Sequence, residues 1–172
     1  SPESGIYFEQ RSCKLKGNLD ISAFKTAWKK VIERHPILRT AFYWEEAGKP
    51  LQVVYNQADL PWIEENWQGL TINQQRDKLL EFLKTDRQQG FDLNQPPLMR
   101  CGLLQIQPDE YYFVWSHHHL LMDGWCNGIL LKEVFSFYQA ACKNQSLLLP
   151  PPRPYRDYIE WLQQQDIAAA EK

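Results

Sequence analysis

The stretch Tyr111-Tyr112-Phe113-Val114-Trp115-Ser116-His117-His118-His119-Leu120-Leu121-Met122-Asp123-Gly124-Trp125 decides how this chain folds. Its first five residues are aromatic or β-branched, the types that fit a pleated surface, and they predict a strand. Side chains alternate across a strand, so His117 and His119 share one face and His118 takes the other. After Gly124, apolar residues at Ile129, Leu130, Val134, Phe137, Tyr138 and Ala141 recur at helical spacing. The three histidines therefore stand at a strand-to-helix junction. Imidazole holds or passes a proton near neutral pH, which makes them the first candidates for chemistry.

Working outward, Asp20 caps a helix whose apolar face is Ile21, Phe24, Trp28, Val31 and Ile32, expected to end near Arg34 and His35, ahead of Pro36. Two strands follow around Leu38 to Trp44 and Leu51 to Tyr55, joined by a turn over Glu46 to Pro50. Thr71 and Gln74 form a capping-box pattern for a second helix, with Leu79, Leu80 and Leu83 as its buried stripe and Gly90 closing it. Leu98 to Ile106 and Tyr111 to His117 read as a hairpin about Pro108-Asp109. A Pro-rich linker at 149–154 leads into a short amphipathic helix at 155–167. The expectation is an α+β fold, a mixed α/β two-layer arrangement with helices packed on a mixed sheet.

At 172 residues with 44% hydrophobic content, the chain is sized for one core and one domain. Its 19 basic and 21 acidic residues are spread along it for a net charge of -2, without the basic stripe that a phosphate backbone demands, so nucleic acid is not an expected partner. No apolar run of about 18 residues and no signal-like amino terminus is present, so no membrane partner is expected. Cys13, Cys101, Cys126 and Cys142 are scattered without a CxxC pair, which favours reduced thiols and a cytoplasmic location.

Three motifs then carry a resemblance. His118-His119-Leu120-Leu121-Met122-Asp123-Gly124 resembles the HHxxxDG motif of condensation domains of nonribosomal peptide synthetases. Arg34-His35-Pro36-Ile37-Leu38-Arg39-Thr40-Ala41-Phe42 is similar to the family's upstream RHxxLRTxF motif. Tyr155-Arg156-Asp157-Tyr158-Ile159-Glu160-Trp161 resembles YxDFAVW downstream, departing at Tyr158, Ile159 and Glu160. Only the amino-terminal half of the family pattern is covered, and the family's first motif is missing. The resemblance thus implies that residues 1–172 form the amino-terminal lobe of a chloramphenicol-acetyltransferase-like fold, leading toward a second lobe.

What the resemblance implies for function is peptide-bond formation in antibiotic or other secondary metabolism. An acceptor aminoacyl amine attacks a donor aminoacyl or peptidyl thioester, both delivered on phosphopantetheine by donor and acceptor carrier domains, with an adenylation domain in the same synthetase. No cofactor and no metal would bind the lobe itself, and the lobe alone is expected to be inactive. The catalytic candidates are His119, His118, Asp123 and Gly124. His119 is implied to face the substrate tunnel, where it either accepts the amine proton or positions the amine. His117 and His118 read more readily as structural. Asp123 is implied to pair with an arginine, with Arg34 the first candidate and Arg39 the second, as structural support. Gly124 permits a turn that a Cβ would obstruct and brings an N–H toward a developing oxyanion. Trp125 after the aspartate favours condensation over epimerisation, and Tyr7-Phe8-Glu9-Gln10 resembles domains joining two L-residues.

Three other readings stay open from the residues. His117, His119 and Asp123 could form a metal triad. The lobe could bind carrier proteins without catalysis. A coenzyme A-dependent acyltransferase of the same superfamily would share the HxxxDG core.

Overall fold

The computed structural model describes residues 8–44, 50–122 and 127–150. The turn expected over Glu46 to Pro50 falls largely outside these residues. So do residues 151–154 of the 149–154 linker, the 155–167 helix, Asp123, Gly124, Trp125 and Cys126.

The elements run β1 (Phe8–Lys16), α1 (Ile21–Arg34), a 3-10 turn (Pro36–Arg39), β2 (Thr40–Trp44), β3 (Pro50–Val54), β4 (Trp62–Asn66), α2 (Ile72–Gln89), β5 (Met99–Gln107), β6 (Glu110–His118), α3 (His119–Met122) and α4 (Asn127–Cys142). Four strands form one sheet in the order β1-β6-β5-β4, and β2 with β3 forms a separate hairpin. β4 lies parallel to β5 while the other pairs are antiparallel, so the sheet is mixed, as expected.

Alternation along β6 splits the core in two. Tyr111, Phe113 and Trp115 join Phe24, Trp28, Val31, Leu130 and Val134 of α1 and α4. Tyr112 and Val114 join Trp67 and Leu104, with Leu79, Phe82 and Leu83 of α2 packed against them. Helices therefore cover both faces of the sheet, and the two-layer expectation gains a third layer. The cause is β6 itself, which is apolar at successive positions and would otherwise expose one aromatic row to water.

Local signals place the helices well. Asp20 accepts from Ala23 N at 3.0 Å, and α1 ends at Arg34. Thr71 and Gln74 make the reciprocal capping box, and Gly90, at φ +59°, closes α2. Leu80, however, is 65% exposed, and Phe82 packs in its place. The inward face of α2 runs through Gln75, Leu79, Phe82, Leu83 and Asp86, whose three- and four-residue steps leave Leu80 on the outer side. Ile129 is likewise exposed on α4, while Leu130 and Val134 are buried. The strands β1 and β4 carry no clear sequence signal and emerge only from the structure. Leu38 and Arg39 belong to the 3-10 turn rather than to β2, because Pro36 starts a tight turn that Thr40 completes by donating its hydroxyl to the Pro36 carbonyl at 2.8 Å.

Beneath the second core lies a buried polar knot. Asp86 of α2 receives hydrogen bonds from Arg100 of β5, Ser116 of β6 and, at 2.7 Å, the Gln10 amide of β1. Arg100 also donates to the carbonyls of Gly90 and Asp86, each at 2.6 Å, and its guanidinium lies 4.4 Å from the Phe91 ring centroid. One carboxylate thus joins three strands to one helix. Asp86→Ala strands a buried guanidinium, and urea unfolding of the chain is expected to show a loss of about 3 to 5 kcal/mol.

Candidate active site

The histidines occupy the last two positions of β6 and the first of α3. His117 is fully buried, its ring centroid 4.8 Å from that of Trp115 with the planes tilted by 43°. Its Nδ1 lies 3.4 Å from the His118 carbonyl. Burial pushes its pKa below the usual imidazole value, and the nearby Arg11 and His119 act in the same direction, outweighing the His118 carbonyl and Glu9. His118 points to the opposite face and accepts from Leu120 N on its Nδ1 at 3.0 Å, the geometry of an N-terminal cap for α3. Burial, then His119 and His117, lower its pKa too. A cap needs an unprotonated Nδ1, so this environment suits a structural imidazole.

His119 differs. Its side chain is 44% exposed, and its Nδ1 sits 3.0 Å from Glu9 Oε1. Glu9 pairs with His117 in the β1–β6 register, which puts its carboxylate on the same face as that ring, with Oε2 3.5 Å from His117 Nε2. That second contact is an ion-pair distance only, and His117 Nε2 has no hydrogen-bond partner among the described residues. One carboxylate therefore stands between two imidazoles, and sequence reasoning missed it. The only available signal was the sheet register, which joins residues 110 apart.

From Glu9, the same face of β1 continues through Arg11, Cys13 and Leu15. These residues, with Phe113, Trp115, Leu131 and Phe135, line an open, mainly apolar groove of about 510 Å³. Among the described cysteines Cys13 and Cys142 are exposed and Cys101 is buried, and none of the three is in a disulfide. Among the described residues no group of side chains could hold a metal ion, and no helix is long and apolar enough to cross a membrane.

The Arg34-His35 pair serves α4. Glu133 is 3.3 Å from Arg34 Nε and 2.6 Å from His35 Nε2, and Arg34 also donates to the carbonyls of Leu149 and Pro150. Arg39 donates to the carbonyls of Ile32, Glu33 and Tyr55, fastening the last turn of α1 to the end of β3. Both arginines thus hold structure through these partners, while Asp123 and Gly124, and with them the expected pairing of Asp123 with an arginine, lie outside the described residues.

Comparison with known proteins gives a consistent picture. The family described as "Condensation domain" matches residues 1–172. One component of the linear gramicidin synthase of Brevibacillus parabrevis is 42% identical over 170 residues, 99% of this chain and 2% of that protein. Bacitracin synthase 3 of Bacillus licheniformis is 40% identical over 169 residues, 98% of this chain and 3% of that protein. The chain thus spans a small fraction of the relatives' length. Among solved structures, the starter condensation domain of rhizomide synthetase RzmA superposes with a TM-score of 0.79 at 22% identity, covering 98% of this chain and 42% of that one.

Two outcomes are expected. Glu133→Ala removes the shared partner of Arg34 and His35, and thermal or urea unfolding is expected to show a loss of about 1.5 to 3 kcal/mol. For His117 and His118 the folded pKa lies below the unfolded value of about 6.5, so between these values the unfolded chain binds more protons. Their contribution to stability is full above about pH 6.5 and declines as pH falls through that value. Urea midpoints between about pH 7.5 and 5 should therefore decrease with acidity, less steeply in His117→Asn.

Proposed function

The chain belongs to the condensation-domain family, and from that premise we propose that it is the amino-terminal lobe of a peptide-bond-forming unit in a nonribosomal peptide synthetase. The observation that carries this reading is the environment of His119: a half-exposed imidazole just past the end of β6, with its Nδ1 held 3.0 Å from Glu9 Oε1. In the proposed reaction an acceptor α-amine attacks the donor thioester carbonyl. The C–N bond forms, the C–S bond breaks, the amine proton is taken up by His119, and the departing thiolate is protonated in turn. Both acyl groups arrive on the phosphopantetheine arms of carrier domains, within a synthetase that also holds an adenylation domain.

Orientation of two tethered substrates is worth roughly 7 to 11 kcal/mol, whereas general-base assistance adds about a hundred- to ten-thousand-fold. The lobe's contribution is therefore as much a surface as a base. The groove beside Glu9 offers one apolar wall, and a second lobe would supply the other. An L-configured donor, a cytoplasmic setting and inactivity of the isolated lobe belong to the same proposal, as do Asp123 and Gly124 as supports of the loop after His119.

The test uses the parent synthetase with both carrier domains loaded. His119→Ala is expected to slow single-turnover condensation by about a hundred- to ten-thousand-fold while leaving the unfolding midpoint nearly unchanged. Full turnover by that variant overturns the role of His119. Preference for coenzyme A thioesters over carrier-bound ones overturns the carrier reading.

A further inference from the structure

A carboxylate only accepts hydrogen bonds, so the 3.0 Å contact between Glu9 Oε1 and His119 Nδ1 requires the proton on Nδ1. In the neutral ring, Nε2 then keeps its lone pair. Resting on the function proposed above, we propose that Glu9 is a positioning residue: it fixes the His119 ring and its tautomer so that Nε2 meets the acceptor amine.

Four observations converge on this assignment. First, Glu9 is pinned by the sheet, because its backbone pairs with His117 and its neighbour Gln10 is tied by its side chain to Asp86 and to the Leu83 carbonyl. The carboxylate is therefore aimed by a strand rather than by a loop. Second, His117 stands beside the other carboxylate oxygen, is fully buried, and is held toward its neutral form by burial and by Arg11. Glu9 is thus not committed to a buried cation. Third, the His119 side chain is partly open to solvent, as a ring that meets a substrate must be. Fourth, His118 is turned away and caps α3, leaving His119 as the histidine on the Glu9 face that solvent reaches. The arrangement has the logic of a carboxylate–imidazole pair in hydrolases, where the carboxylate orients the ring without itself taking the proton.

The experiment is a double-mutant cycle in the carrier-loaded parent synthetase, read alongside nitrogen-15 spectra of histidine-labelled condensation domain. Glu9→Ala is expected to lower kcat about 10- to 100-fold with little change in KM for the acceptor. Glu9→Gln, whose amide oxygen accepts from Nδ1–H, is expected to recover most of that loss. In a His119→Ala background, Glu9→Ala is expected to cost nothing further. The spectra should show His119 protonated on Nδ1 in the wild type and Glu9→Gln, and shifted toward the Nε2–H form in Glu9→Ala.

A loss from Glu9→Ala that persists undiminished in the His119→Ala background overturns the proposal, as does an unchanged His119 tautomer. If His119→Ala alone retains full turnover, the reaction role of the ring fails. The tautomer spectrum then separately decides whether Glu9 holds it.

Discussion

The architecture depends on enclosing one strand. β6 is hydrogen-bonded along both edges, by β1 and β5, and covered on both faces, by α1 with α4 and by α2. Every side chain from Tyr111 to His117 is buried. A strand held this way cannot slip by one residue without exchanging its aromatic row for its polar knot, so its register is fixed from four sides. The position of His119 follows. The strand delivers that residue to the point where the sheet stops and the chain turns into α3.

The same alternation explains why three adjacent histidines differ so much. His117 inherits the dry face of Phe113 and Trp115, and His118 inherits the face of Ser116 and finds work as a cap. His119 begins a helical turn and emerges. Adjacent residues of one type are thus sorted by backbone geometry into a buried ring, a cap and a reachable ring. Glu9 joins the first and third across the β1–β6 seam.

Much of this was legible in sequence where the determinants are local. The Asp20 cap, the Thr71–Gln74 box, the Gly90 stop and the β5–β6 hairpin each depend on residues only a few positions apart. β1 and β4 were illegible for a shared reason. They are the two edges of the sheet, β4 is mostly exposed and β1 largely so, and periodicity reports burial rather than pairing. Glu133 and Glu9 escaped notice because their partners lie about a hundred residues away. Leu80 and Ile129 misled for the opposite reason, since a helix face reads only to within one residue from spacing alone.

Asp86 draws together Gln10, Arg100 and Ser116, and so unites the sheet's first strand with two made late. During synthesis β1 emerges long before β6 exists to receive it, since Phe8 must wait for His118. Closing so long a loop carries a larger entropic cost than forming the β5–β6 hairpin, whose residues are neighbours in the chain. Until that closure a nascent chain holds an imidazole with no carboxylate beside it. The contact between Glu9 and His119, 110 residues apart, is thus one that only the closed sheet can hold.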